Sequence, residues 1–188
     1  MQTDSVLEKI IEFADQAHGE QMRKYSDERY IVHPVRVMKI CREYTEDLPV
    51  LAASILHDVL EDTSTGEAEI LEFLSNHLSK SDAQKTLQLV IELTDVYTKE
   101  NYPHLNRNQR KALETERLGK TTALAQTIKY ADIMDNTIEI TAKDRGFAPR
   151  FLKECKAILK VATKGNPELR QKAEKEIARG FEKLKTGF

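Results

Sequence analysis

The sequence predicts an all-α protein built as one compact helical domain, and three observations carry that prediction. Turn-forming residues are scarce, with 7 Gly and 5 Pro among 188 residues, which favours long helices over many short strands. Apolar residues recur at three- and four-residue spacing along most of the chain, the period of a half-buried helix. Start and stop signals punctuate those stretches, with Pro34, Pro49 and Pro167 near the fronts of three of them. A chain of this length buries a sizeable core without needing covalent staples.

Taken in order, Asp4 or Ser5 is placed to cap a first helix that carries Leu7, Ile10, Ile11, Ala14 and Ala17 and runs to about His18. The stretch Gly19–Tyr30 is polar and charged and reads as a loop bearing Arg23 and Lys24. Pro34 fits the first turn of a second helix, Pro34 to about Tyr44, which sets His33 at a helix entrance. Pro49 opens a third helix through Val50, Leu51, Ala53, Ile55 and Leu56. That helix is expected to run on into His57-Asp58-Val59-Leu60-Glu61-Asp62 and to end near Thr63–Gly66. Glu67 to about His77 and Asp82 to about Thr94 read as two more.

Asp95–Asn106, with Asn101-Tyr102-Pro103 inside it, is too polar and Pro-broken for a core helix. Arg107–Leu118 reads as an exposed, strongly charged helix. Thr121 or Thr122 is placed to cap the next, which includes Ala125, Ile128, Ala131, Ile133 and Ile138. Pro149–Thr163 and Pro167–Lys185 complete the set, parted at Asn166-Pro167. No repeat, low-complexity tract or long linker divides the chain. Residues 1–188 are therefore expected as a single domain, with a motif-bearing core of about 6–160 and a C-terminal helix 167–185.

Hydrophobic residues make up 40% and charged residues 32%, which suits a soluble globular protein. The 29 basic and 31 acidic side chains give a formal net charge of −2. That balance lacks the basic excess of a protein that binds a nucleic-acid polymer, whereas a pocket for a phosphorylated small molecule needs only a few Lys or Arg. No apolar run reaches membrane-spanning length, and the opening MQTDSVLEKI has acids where a signal peptide has its apolar region. Cys41 and Cys155 lie far apart, outside any CxxC spacing. They read as buried or half-buried thiols in a reducing compartment, and a cytoplasmic location is expected.

The chemistry lies in acids and histidines set where apolar residues belong. On a continuous helix His57 and Glu61 share a face at i,i+4, as do Asp58 and Asp62, the two pairs turned by about 100°. A second cluster surrounds Asp132, flanked by Ala131 and Ile133, with Asn136 one turn on. A desolvated carboxylate costs several kcal/mol, so an acid in such a setting wants a cation or strong donors. Mixed imidazole and carboxylate donors suit Mn²⁺, Fe²⁺ or Zn²⁺. Such an ion polarises a phosphoryl oxygen and acidifies a water, which a neighbouring acid can position or deprotonate.

His33, the His57-Asp58 doublet and the distant Asp132 resemble the H…HD…D pattern of the HD-domain phosphohydrolases. Their surroundings narrow the resemblance. Arg23-Lys24, Tyr30-Ile31-Val32-His33-Pro34, Leu56 to Thr63, and Ile128-Lys129-Tyr130-Ala131-Asp132 with Asn136 resemble the hydrolase domain of the RelA/SpoT group. That group includes stand-alone small alarmone hydrolases of the Mesh1 type. The similarity runs from about Ile10 to Asn136 and more loosely to about Leu159.

The resemblance implies a helical fold, usually with Mn²⁺, that removes the 3′-pyrophosphate from guanosine tetra- or pentaphosphate. It implies His33, His57, Asp58 and Asp132 as metal ligands and Glu61 and Asp62 as the acids that activate or orient water. Arg23 and Lys24 would face the substrate, with Asn136 near its ribose and phosphates. The chain departs from the pattern in one extra residue between Lys24 and Tyr30, in Arg29 where Pro is usual, and across Asp95–Arg110, where Lys99, Arg107 and Arg110 could meet phosphates.

Those departures bear on the nucleotide rather than the metal. They keep open another nucleotide phosphatase, an NADPH 2′-phosphatase, or a metal-dependent nucleotide sensor with little catalysis. His18, His77 and His104 lack such a setting and read as chemically idle. The charged stretches Arg107–Arg117 and Arg170–Lys185 read as solvated helix faces, either of which could join a homo-oligomer interface.

Overall fold

The structure is a computed structural model that describes residues 2–186. Among these residues the only β pairing is a single antiparallel bridge between Met22 and Arg29; the regular structure is otherwise helical. The helices gather into two compact units, with the boundary between Thr94 and Asp95.

The first unit holds α1 (Gln2–His18), α2 (Val32–Arg42), α3 (Leu48–Leu56), α4 (Val59–Asp62), α5 (Glu67–Ser75) and α6 (Lys80–Leu93). α3 is its centre. Its nine residues carry no charge, and everything from Pro49 to Leu56 is buried, so the helix has no polar face to turn outward and is covered by α1, α2 and α6. Burial of a Leu or Ile such as Leu51 or Ile55 contributes about 1.5–3 kcal/mol each. Phe13 of α1 and Phe73 of α5 stack with centroids 4.2 Å apart.

Gly19 closes α1 in the left-handed region at φ +56°, a conformation glycine adopts without the Cβ clash of other residues. Beyond it the loop doubles back on itself. Arg23 N donates to Glu28 O and Tyr30 N donates to Gln21 O, each at 2.9 Å. The chain thereby delivers Tyr30 to the front of α2 in a fixed position.

The second unit holds α7 (Arg107–Lys120), α8 (Ala123–Lys143), α9 (Ala148–Val161) and α10 (Pro167–Thr186). Here α8 is central, packed by α9 and α10, while α7 lies on α9. Thr122 caps α8 by accepting from Ala125 N, and Asn106 caps α7 by accepting from Gln109 N. Tyr130 of α8 donates to Ala162 O at 2.7 Å and accepts from Gly165 N. Gly165 passes so close that a Cβ there would stand 2.5 Å from the Tyr130 ring. Asn166 accepts from Glu168 N and Leu169 N, which starts α10 where Asn166-Pro167 predicts.

The main departure from expectation lies in the third helix, which does not run through to Asp62. It stops at Leu56, a turn holds His57-Asp58, and α4 resumes at Val59. The cause is local. The Ser54 carbonyl, which residue 58 would use in a continuing helix, is bonded by His57 Nδ1 at 2.8 Å. At the front of the chain, α1 begins at Gln2, ahead of the expected cap at Asp4 or Ser5. Ile138, counted among the apolar residues of α8, is 51% exposed. Among the described residues no helix is long and apolar enough to cross a membrane.

Candidate metal centre

In the first unit, His33, His57 and Asp58 come together with one potential ligand atom each, all within 4.8 Å of one another. His33 stands in the first turn of α2, where its backbone N donates to Tyr30 O at 3.0 Å, and its ring is 1% exposed. His57 and Asp58 occupy the break between α3 and α4. Asp58 Oδ2 lies 3.1 Å from His57 Nε2 and 3.7 Å from His33 Nε2. The two imidazoles meet edge to face with centroids 5.3 Å apart.

The hydrogen bond that interrupts the helix also sets the His57 tautomer. A carbonyl only accepts, so His57 Nδ1 carries its proton toward Ser54 O, and Nε2 is the ring nitrogen that faces Asp58. Metal-binding histidines are typically oriented in this way by a bond from the far ring nitrogen. Two imidazole nitrogens and one carboxylate oxygen, two of the three residues buried, form a donor set that fits a divalent transition ion.

A rim of polar side chains surrounds this cluster. Tyr30 donates its hydroxyl to Asp58 Oδ2 at 2.7 Å. Burial, reinforced by the charges of Asp58 and Asp62, pushes the Tyr30 phenol far above its ordinary range, so it stays a donor. Asp62 is exposed along one edge. Partial desolvation and the nearby Asp58 charge hold its carboxyl above the usual value, against the lowering effect of bonds from Tyr30 and Gln21. Glu61, beside it on α4, is exposed.

Arg23 lies with its guanidinium 5.6 Å from the centre of the Tyr30 ring, whereas Lys24 extends over Tyr25 at 4.7 Å. Of the expected substrate pair, Arg23 thus lies against the rim. Arg29, the departure at the usual Pro, pairs with Asp15 at 3.0 Å and donates to Gly19 O at 2.9 Å, so it braces the loop. Sequence reasoning missed His18, Gln21 and Tyr30 as parts of this site. His18 is buried, lies tilted against the Tyr30 ring with centroids 4.5 Å apart, and its Nδ1 meets Gln21 Oε1 at 2.9 Å. The available signal was the spacing of His18 from Gln21, one turn beyond the end of an amphipathic helix.

In the second unit, Asp132 lies on α8 with 6% exposure. Lys129 Nζ pairs with its Oδ2 at 2.8 Å and Asn136 Nδ2 donates to its Oδ1 at 2.6 Å. Arg107 is bidentate to Glu154, and Arg110 donates to Leu105 O. Cys41 and Cys155 are free thiols, both buried. Burial and the Asp132 charge push the Cys155 thiol well up, which makes it inert.

Comparison with known proteins follows the same residues. The guanosine-3′,5′-bis(diphosphate) 3′-pyrophosphohydrolase of Aquifex aeolicus is 40% identical over 74 residues, 39% of this chain and 10% of that protein. The chain thus spans about a tenth of that relative's length. Guanosine-3′,5′-bis(diphosphate) 3′-pyrophosphohydrolase MESH1 of Xenopus tropicalis is 34% identical over 143 residues, 72% of this chain and 70% of the relative. A solved structure described as a metazoan ortholog of SpoT that hydrolyzes ppGpp shares the fold. It has a TM-score of 0.77 at 23% identity and covers 93% of this chain and 95% of its own. The HD domain profile matches residues 30–137, a span that takes in His33, His57, Asp58 and Asp132. With more than half its length under that profile, the chain belongs to the HD domain family.

Proposed function

We propose that this chain is a metal-dependent phosphohydrolase that removes the 3′-pyrophosphate from guanosine 3′,5′-bis(diphosphate). The observation that carries the reading is the buried His33–His57–Asp58 cluster, with the His57 ring held by Ser54 O so that Nε2 faces Asp58. The activity for which the Aquifex and Xenopus relatives are named suggests the substrate. Asp132 is assigned as a further ligand, on its motif and its burial in an apolar stretch. Mn²⁺ is the assigned ion, and Fe²⁺ or Zn²⁺ suits the same donors. The free buried thiols fit a reducing compartment, and we place the protein in the cytoplasm.

A bound divalent ion supplies charge stabilisation to a phosphoryl oxygen and lowers the pKa of water. The protein's residues do the rest. Glu61 and Asp62 receive and orient the attacking water. The water oxygen bonds to the phosphorus attached to O3′, the P–O3′ bond breaks, and O3′ leaves protonated, giving pyrophosphate and guanosine 5′-diphosphate. Arg23 and Lys24 balance phosphate charge, and Asn136 contacts the sugar–phosphate. Arg29 is engaged with Asp15 and Gly19 O, so it contributes to the loop and not to the choice of nucleotide.

The test is product release from a panel of guanosine tetraphosphate, its adenosine analogue, NADPH and simple mononucleotides, with Mn²⁺ and with EDTA. Metal-dependent pyrophosphate from guanosine tetraphosphate is expected. Orthophosphate from NADPH or a mononucleotide alone would move the protein to another phosphatase role. Nucleotide binding without turnover would make it a sensor.

A further inference from the structure

We propose that Tyr30 is a positioning residue that holds the metal ligand Asp58 in place and so sets both the ion's affinity and the rate of turnover. The inference rests on the metal-centre reading above. It stands on geometry within the first unit. The Tyr30 hydroxyl lies 2.7 Å from Asp58 Oδ2, the same oxygen that lies 3.1 Å from His57 Nε2 and 3.7 Å from His33 Nε2. The oxygen that faces both imidazoles is therefore the one the phenol holds.

Asp58 needs such a restraint. It sits in the break between α3 and α4, and its side chain is only partly buried where the two histidine rings are buried. A carboxylate in that position can rotate about its χ angles and exchange one oxygen for the other. A short bond to one oxygen removes that freedom before an ion arrives.

Tyr30 is itself held on both sides. Its ring lies tilted against that of buried His18, whose Nδ1 meets Gln21 Oε1. Arg23 covers the ring at 5.6 Å. Its backbone is pinned by Tyr30 N to Gln21 O and by His33 N to Tyr30 O. A residue so constrained from the loop, from α1 and from α2 is suited to orient others. Outer partners of metal ligands typically change affinity or activity about 10–100-fold when removed.

Tyr30→Phe is the test, because it deletes the hydroxyl while keeping the ring against His18 and Arg23. Mn²⁺ is titrated into EDTA-stripped protein with free Mn²⁺ followed by electron paramagnetic resonance, and turnover of guanosine tetraphosphate is then measured at saturating Mn²⁺. The expected result is a Kd for Mn²⁺ weaker by about 10–100-fold, with kcat lowered and KM for the nucleotide unchanged. A Phe variant with wild-type Kd and wild-type kcat, whatever its melting temperature, would overturn the role. Wild-type protein that takes up no divalent ion would instead overturn the metal centre itself, and this inference with it.

Discussion

Two helical stretches of this chain carry acids among apolar residues, and they handle them differently. In the first unit the backbone gives way, so α3 stops and His57-Asp58 fall in a turn where their side chains gather with His33. In the second unit α8 runs unbroken through Asp132, and the acid is met one turn away on each side by Lys129 and Asn136. An interrupted helix places neighbouring residues in directions a continuous one forbids. A continuous helix supplies an acid with local donors at i−3 and i+4. Acids of the same sequence character can thus be gathered with other donors in a turn or met by partners on their own helix. Mutation separates the two cases.

The largest effect is expected in the turn. His57→Ala or Asp58→Ala removes a donor of the cluster, and pyrophosphate release should fall by more than about a hundredfold, beyond what loss of an outer partner produces. Activity within tenfold of wild type in either variant, at equal Mn²⁺, would show that the turn is not the centre of the chemistry. Next comes Glu61→Gln, which keeps size and removes the charge. Metal should stay bound while kcat drops about 10²–10⁴-fold. Loss of metal in that variant would make Glu61 a ligand rather than a handler of water.

Asp132→Asn sharpens the comparison most. As a ligand, Asp132 is expected to lose Mn²⁺ affinity at least about tenfold on this change. As a purely local partner of Lys129, it would instead lower the melting temperature and leave Mn²⁺ titration untouched. Arg29→Ala should have the smallest effect. It breaks a half-exposed ion pair to Asp15 and a bond to Gly19 O, so stability should fall by about 1 kcal/mol or less by chemical denaturation. The substrate preference on the nucleotide panel should not change. A changed preference would bring Arg29 back as a determinant of the nucleotide.

Most of the helices were legible in the sequence because their ends are chemically marked. Pro34, Thr122 and Asn166-Pro167 each stand where a helix begins, and each marks it through a backbone or side-chain constraint acting within a few residues. The break at His57-Asp58 was not legible. It depends on a histidine ring competing for the Ser54 carbonyl, and no periodicity records that competition.

The candidate site divides in the same way. His57 and Asp58 stand out in the sequence because donors in an apolar stretch need a reason to be there, His33 stands out only through the motif it resembles, and the fold brings these three together. His18 looks idle in the sequence because its ring contact with Tyr30 comes twelve residues on, across a loop that doubles back. Tyr30 itself looked like part of a motif's flank. Its hydroxyl acquires meaning only once α2 and the α3–α4 turn are packed in the first unit.

The most direct test of the His33–His57–Asp58 centre is metal stoichiometry on EDTA-stripped, Mn²⁺-reloaded and desalted protein, wild type beside His57→Ala. About one ion per wild-type chain and none retained by the variant is the predicted result. Equal retention by both proteins would contradict the assignment of the α3–α4 turn as the metal centre.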